Sequence, residues 1–341
     1  MTTDPERSPD QSNLGIVLRR LYRGVEFALS DPEVTADLID WAAVRMVGEV
    51  KVRAWTPESA HYSVVEIVTD DMPFLVDSVT AELSRQGRDI QLVAHPQLAV
   101  SRESGVLTQV HDLDVDEIRS GMIAESWMHI HVDRDFVSDD LVTLVAGVEN
   151  VLADVKKAVE DWAAMRTKAV EISGDLRRSA PQGISATELD EAVSLLDWLT
   201  QDSFTFIGYR EYRLIMVEGE DALEPIPQTG LGILRDSAEN NVPSKSFGIL
   251  TPAVRAKARD KELLVLSKAN SRSTVHRPAY LDYVGVKTFD ASGEVIGERR
   301  FLGLYAARAY TDSVADIPVL REKYRTIERD LDYVQGSHSA K

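Results

Sequence analysis

The stretch from Tyr62 to Val79 reads YSVVEIVTDDMPFLVDSV, and it decides the fold of the first half of the chain. Residues 61–69 form a continuous apolar, β-branched run, which is typical of a strand covered on both faces. Apolar residues at helical spacing then run from Pro73 until Gly87 ends the helix. A buried strand therefore turns, through two adjacent aspartates and a proline, directly into a helix.

The elements around this junction predict a ferredoxin-like βαββαβ unit. A second strand at 88–102 is interrupted by a proline, a third is expected at 125–134, and a long helix follows at 138–162. Two segments compete for the closing strand: TKAVEIS at 167–173 and KVRAW at 51–55.

Breaks in periodicity divide the chain into six predicted segments. They are a disordered tail (1–12), N-terminal helices (13–49), the ferredoxin-like domain (50–173), a linker (174–188), an antiparallel α+β domain (189–335) and a tail (336–341). In the second domain, alternation predicts one strand face that carries Phe204, Phe206, Tyr212, Leu214 and Met216. The fold class is α+β, and the abrupt, charged end leads us to expect a piece of a longer protein.

Composition narrows the function classes. The 341 residues are 44% hydrophobic and 28% charged with a net charge of −18, which disfavours nucleic acid or an anionic membrane as partner. The absence of cysteine excludes disulfides and thiolate chemistry. The N-terminus has no apolar signal region, and no apolar run is long enough to span a bilayer. We expect a cytoplasmic protein.

The junction at Asp70 and Asp71 has two interpretations. Either aspartate can cap the exposed amides at the start of the helix, with Pro73 in the first turn. Alternatively, those amides receive a ligand carboxylate while an aspartate binds its ammonium group. A hydrolase using Asp70, Asp71 and Asp77 is a weaker alternative, because no histidine or lysine base accompanies them in the sequence.

The motif DDMPFLVDSV resembles the ACT-domain pattern Asp-x-Pro-Gly-Leu-Leu, whose loop binds small amino acids. Together with ESWMHIHVDR (125–134) and RRFLGLYAARAY (299–310), most of residues 12–335 resemble the N-terminal region of the large bacterial NAD-dependent glutamate dehydrogenases. The resemblance implies an ACT-like module, then a PAS-like module in the second domain, with the dehydrogenase domain further along the parent chain.

One residue departs from the ACT pattern. Phe74 stands where an amino-acid-binding loop has glycine, and a phenyl ring would fill or cover the space that glycine leaves. The resemblance therefore supports the fold better than it supports effector binding, and Phe74 is alternatively an apolar plug. The candidate effector loop comprises Asp71, Met72, Pro73, Phe74, Leu75 and Val76.

The sequence contains none of the motifs that a dehydrogenase active site would require. A dinucleotide site needs a glycine-rich turn between a strand and a helix, whereas TGLGIL contributes only Gly230 and Gly232. No Lys-Gly-Gly run is present either. We therefore expect no catalytic residue and no cofactor here, with NAD bound by the parent enzyme's catalytic domain.

Three aromatic residues share one face of the 125–134 strand: Trp127, His129 and His131. With His95 on a neighbouring strand, the imidazoles could converge on zinc or nickel. No matching acidic spacing accompanies them, so we expect no metal and interpret the face as a contact with another module or subunit.

The sequence favours a non-catalytic regulatory and assembly segment of a large NAD-dependent glutamate dehydrogenase. By resemblance, the parent enzyme is an oxidoreductase of amino-acid catabolism that converts L-glutamate, NAD and water to 2-oxoglutarate, ammonium and NADH. The partners would be other domains and subunits of a homo-oligomer, and a small amino-acid effector. The alternative is a free-standing ACT-like amino-acid sensor.

Overall fold

A computed structural model describes residues 13–21, 23, 32–58, 60–134, 138–217, 220–236 and 261–330. The tails predicted at 1–12 and 336–341 lie outside these residues. The chain forms two compact units, which we describe separately: unit 1 runs to Lys156 and includes 274–277, and unit 2 comprises 157–273 and the chain from Pro278. No helix in the described ranges is both long and apolar enough to cross a membrane.

Unit 1 is built from helices and one antiparallel sheet. Its elements are α1 (Asn13–Leu21), α2 (Pro32–Ala42), β1 (Lys51–Trp55), β2 (Tyr62–Asp70), α3 (Leu75–Arg85), β3 (Ile90–Ala94), β4 (Gln97–Glu103), β5 (Val106–His111), a 3₁₀ turn (Val115–Glu117), β6 (Ile123–Asp133) and the first part of α4 (Ser138–Arg178).

The sheet of unit 1 has the strand order β1-β2-β6-β4-β5, with β3 also paired to β6. Strand β1 pairs antiparallel with β2, from Lys51 opposite Val68 to Trp55 opposite Val64. KVRAW therefore occupies the place of the closing ferredoxin strand, although it comes first in the chain. The competing segment 167–173 lies inside α4, so that alternative was wrong.

The central strands match their predicted character. Seven consecutive residues of β2, Ser63–Thr69, are buried, as expected for a strand covered on both faces. The predicted second strand is divided at His95 and Pro96 into β3 and β4, because proline cannot donate to the ladder. Strand β5 was missed: Ser104 and Gly105 both have positive φ and reverse the chain into a hairpin.

Helices α1 and α2 cover the face of the sheet that carries Trp127. Side chains from both helices form one core with residues of β2, β3, β4, β5 and β6; its buried members include Ile16, Val17, Leu21, Leu38, Ala42, Val68, Leu98, Val110 and Trp127. The region predicted as separate N-terminal helices is thus an integral layer of unit 1.

Among the described residues, unit 2 contains the remainder of α4, four further helical or turn elements and a second antiparallel sheet. Its elements are α5 (Ala186–Trp198), a π-helical turn (Leu199–Ser203), β7 (Phe204–Val217), β8 (Glu220–Pro225), β9 (Leu231–Gly232), β10 (Leu264–Arg272), β11 (Tyr280–Phe289), β12 (Val295–Tyr305), α6 (Arg308–Thr311) and α7 (Leu320–Asp330). The strand order is β10-β11-β12-β7-β8, with β9 paired to β7.

Two predictions for unit 2 need correction. The linker is shorter than 174–188, because α4 continues to Arg178 while Ile172 and Leu176 keep its apolar stripe buried. The strand β7 does not keep one face inward. Its register with β12 shifts beside Ile207, so Phe204 and Phe206 enter the core before the shift and Tyr209 enters it afterwards. Met216 is exposed.

The face of α3 that packs inward can be tested with a matched pair of substitutions. Val79 is fully buried, whereas the neighbouring Val76 is only half-buried. We predict that Val79→Asp lowers the free energy of unfolding by about 4 kcal/mol or more, because it buries an unpaired carboxylate. Val76→Asp should cost about 1 kcal/mol. Urea denaturation of both variants checks this, and equal losses would contradict the assigned face.

Candidate functional site

The first aspartate of the junction does not cap a helix. Asp70 Oδ1 accepts a hydrogen bond from Arg45 Nη2 at 2.6 Å, and its Oδ2 accepts one from the backbone amide of Gly48 at 2.8 Å. The carboxylate is thus committed to the segment between α2 and β1. The capping interpretation of Asp70 was wrong, because a buried guanidinium binds the carboxylate first.

The second aspartate lies at the end of the sheet and also caps nothing. Asp71 Oδ2 accepts a hydrogen bond from Gln97 Nε2 at 2.8 Å, and its backbone amide donates to the carbonyl of Ala124. Its Oδ1 is buried and makes no hydrogen bond to any described residue. A buried carboxylate oxygen without a donor is costly, so this atom is where an ammonium group or water would gain most.

Helix α3 begins at Leu75, and Phe74 is its N-cap in the left-handed conformation, with φ 72° and ψ 2°. No side chain caps the first turn. The position therefore needs the backbone geometry that glycine adopts without penalty, which is the physical reason for the glycine of the ACT pattern. The Ser78 amide and hydroxyl both donate to the carbonyl of Phe74, which holds this turn in place.

His276 reaches the same turn from almost two hundred residues further along the chain. Its Nδ1 lies 2.9 Å from Asp77 Oδ2, its backbone amide donates to Ser78 Oγ at 2.9 Å, and its ring centroid lies 5.0 Å from that of Phe74. Local sequence carried no sign of this contact. Ser78 Oγ contacts the backbone of His276 and not its ring. Ser78 and His276 therefore do not form a nucleophile–base pair.

The six residues of the candidate effector loop are unequally accessible. Pro73 is exposed, Asp71, Met72, Phe74 and Val76 are half-buried, and Leu75 is buried. The Phe74 ring lies beside the first turn, against His276. The structure thus brings the loop together, with the Phe74 and His276 rings packed against each other beside the first turn of α3.

A polar cleft of about 410 Å³ lies close to this junction in unit 1. Its walls include Arg20, His95, Gln97 and Asp114, and Gln97 is the residue that binds Asp71. His95 Nε2 lies 2.5 Å from the hydroxyl of Ser126. Burial lowers the pKa of His95, and the nearby Asp71 only partly opposes that effect.

A buried ion-pair network lies behind the junction. Glu125 is fully buried and binds Arg45 Nη2 at 2.7 Å, Arg102 Nε at 2.6 Å and Trp127 Nε1 at 2.9 Å. Burial alone would raise the pKa of Glu125, but the hydrogen bonds from Arg102 and Arg45 outweigh it and hold that pKa below its ordinary value. The network therefore contains an ionised, fully paired carboxylate.

The predicted contact face of β6 is largely internal. Trp127 and His129 are buried within unit 1, and only His131 is partly accessible. Helices α1 and α2 cover Trp127, and both helices belong to the same unit as β6. As a surface for another subunit, the Trp127–His129 pair was a wrong prediction, because the strand is central and covered on both faces.

The imidazoles of β6 bind each other and a carboxylate. His129 Nδ1 lies 2.8 Å from Glu66 Oε1, and His129 Nε2 lies 2.9 Å from His131 Nε2. His95 instead contacts Ser126, so the structure does not bring the three histidines together. Across the described ranges, no group of three or more histidine and acidic side chains is arranged to hold a metal ion.

The glycines of TGLGIL serve packing. A Cβ added at Gly230 would lie 2.1 Å from the carbonyl oxygen of Leu234, and one at Gly232 would lie 2.1 Å from that of Ile207. Gly232 also has a φ of +60°. Gly232 lets β9 approach β7, whereas Gly230 leaves room for the turn over Ile233 and Leu234 that follows.

The glutamate dehydrogenase ACT1 domain matches residues 33–148 of the chain. NAD-specific glutamate dehydrogenases of Halomonas elongata, Pseudomonas aeruginosa and Mycobacterium tuberculosis are 30%, 33% and 28% identical to it. The alignments include 85%, 85% and 76% of this chain, but only 18%, 18% and 15% of the respective relatives. These matches confirm the resemblance to the glutamate dehydrogenases and to their ACT domain, while the PAS-like assignment remains a prediction.

The buried network makes a first testable prediction for the site. Arg45→Met should lower the free energy of unfolding by about 3–5 kcal/mol, because it leaves Glu125 with one guanidinium partner fewer and Asp70 without its own. Arg19→Met is the control, since Arg19 and Asp112 form an exposed pair in the same unit that should be worth less than about 1 kcal/mol. Similar losses in both variants, measured by urea denaturation, would contradict the assigned role.

The left-handed cap makes a second prediction. Phe74→Ala and Phe74→Gly both remove the ring, and they differ in the cost of a positive φ. We predict that the glycine variant is the more stable by about 1 kcal/mol, although glycine loses more backbone entropy than alanine on folding. Thermal and urea unfolding would measure the difference. A more stable alanine variant would show that Phe74 does not hold φ near +72° in solution.

Proposed function

We propose that this chain, which belongs with the N-terminal region of the large NAD-dependent glutamate dehydrogenases, is a non-catalytic regulatory and assembly segment of such an enzyme. The observation that carries the proposal is the combination of an ACT1 domain with a span of less than one fifth of each dehydrogenase relative. The parent reaction would convert L-glutamate, NAD and water to 2-oxoglutarate, ammonium and NADH.

The use of the residues in the candidate sites supports a scaffolding role. Asp70 binds Arg45 and Gly48, and the imidazoles of β6 bind Glu66 and each other. Gly232 allows close packing of β9 on β7 and Gly230 allows the turn that follows, and neither forms a pyrophosphate turn. These groups are thus engaged in holding the fold together, and we assign the NAD site to the parent's catalytic domain.

Assembly would use the sheets and their edges. Among the described residues, strand β1 pairs only with β2, which leaves its other edge for pairing in a homo-oligomeric parent. In unit 2, the antiparallel order β10-β11-β12-β7-β8 and the long β11–β12 hairpin are compatible with the proposed PAS-like module. We place the protein in the cytoplasm, where a dehydrogenase of amino-acid catabolism finds its substrate.

The second candidate is a free-standing amino-acid sensor. It is favoured by Asp71 Oδ1, a buried oxygen without a hydrogen-bond donor among the described residues, and by the uncapped first turn of α3. An effector would place its ammonium group on Asp71 and its carboxylate on the amides after Phe74. The rings of Phe74 and His276 oppose this arrangement, so we rank it second.

Titration calorimetry of the full chain with L-glutamate, L-aspartate and other amino acids tests whether the junction binds an effector. We predict no saturable heat, because a phenyl ring stands where the ACT pattern has glycine and packs against His276. Saturable heat that disappears in Asp71→Asn and persists in the control Asp190→Asn, an exposed carboxylate of α5, would contradict this prediction and favour the sensor.

A further inference from the structure

Three ionisable side chains lie in one line of hydrogen bonds across the two central strands of unit 1. Glu66 on β2 stands directly opposite His129 on β6 in the sheet register, and His131 follows two residues later on the same face. The Glu66 Oε1–His129 Nδ1 distance is 2.8 Å, and the His129 Nε2–His131 Nε2 distance is 2.9 Å. Glu66 and His129 are buried, while His131 is partly accessible.

Two side chains next to this row of hydrogen bonds contact Glu66 or His131. Arg53 on β1 donates to Glu66 Oε2 at 2.7 Å, and it also binds Asp37 of α2. The Tyr62 ring stacks on His131 at 3.9 Å between centroids. On the opposite side, β3 pairs with the histidines through the apolar residues Leu92 and Ala94.

The hydrogen bonds restrict where protons can lie. A carboxylate that is ion-paired with Arg53 accepts hydrogen bonds, so the proton between Glu66 and His129 belongs to His129 Nδ1. When both rings are neutral, His129 Nε2 is consequently an acceptor and His131 Nε2 carries the donor hydrogen. One added proton leaves an imidazolium–imidazole pair that keeps a single N–H···N bond, whichever ring carries the charge. A second added proton puts N–H groups on both sides of the 2.9 Å contact and breaks the bond.

We propose that Glu66, His129 and His131 form a proton-sensing device in unit 1, which accepts one proton with its geometry intact and opens when the second proton binds. Binding of the second proton would place two like charges side by side within the central strands, and separation of the rings would relieve their repulsion. The device is a property of this unit and does not depend on the proposed role in a glutamate dehydrogenase.

The second proton should bind in acid. Burial and the neighbouring His129 lower the pKa of His131 from 6.5 to about 4. Because the folded-state pKa is depressed, the folded protein binds fewer protons than the unfolded chain between these values. The stability that His131 contributes is therefore complete above about pH 6.5 and is lost as the pH falls towards 4.

Imidazole ¹H–¹⁵N NMR of the full chain tests the proposal directly. At about pH 8 we expect His129 as the Nδ1–H tautomer and His131 as the Nε2–H tautomer. On acidification His131 should take up its added proton near pH 4. His129 in the Nε2–H tautomer, or a His131 imidazole that titrates near pH 6.5, would overturn the proposal.

Matched variants provide a second readout. In His131→Asn, the fall in thermal unfolding temperature between pH 6.5 and 4 should be smaller than in the wild-type chain. The control His61→Gln removes an exposed imidazole and should behave as wild type. An unchanged pH profile in His131→Asn would overturn the proposal. Should that variant fail to fold, the wild-type tautomers and titration still decide the question.

Discussion

The interaction on which unit 1 depends is the buried pairing of Arg45 with Glu125 and Asp70. It joins the segment after α2 to the ends of β2 and β6, so the helices that cover the Trp127 face and the strand–helix junction share one set of hydrogen bonds. Arg102 and the Trp127 indole complete the pairing of Glu125. A network of this kind tolerates no missing member, because each remaining charge would be buried without its partner.

This constraint explains why the junction differs from either interpretation based on its local sequence. Asp70 binds Arg45 and Asp71 binds Gln97. Neither aspartate therefore caps the helix that follows, and Phe74 is its N-cap residue. The turn accommodates the positive φ of Phe74 because Ser78 donates a hydrogen bond to the Phe74 carbonyl and His276 packs against the Phe74 ring. The absent glycine of the ACT pattern therefore changes which groups can approach the helix while the backbone path is kept.

The sequence was most informative where periodicity and burial agree. The apolar run of β2, the break at Pro96 and the helix α3 all follow from local chemistry. Tertiary context decided the rest. KVRAW closes the sheet through pairing with β2, which no local pattern encodes, and the register shift in β7 moves aromatic residues between faces without a proline to mark it. His276 and Asp77 are separated too far in sequence for any motif to connect them, and a two-residue histidine spacing could not reveal that Glu66 stands opposite.

The central claim is that the chain scaffolds and tunes a reaction whose catalytic residues lie elsewhere in the parent enzyme. The aspartate Asp70 and the imidazoles of β6 form internal hydrogen bonds, and Gly230 and Gly232 allow close backbone packing. The dehydrogenase relatives are several times longer than this chain. The most direct test is to incubate the purified chain with L-glutamate and NAD and to follow the absorbance of NADH. The account predicts a rate equal to that without protein, with no retention of NADH on gel filtration; glutamate-dependent NADH formation would contradict it.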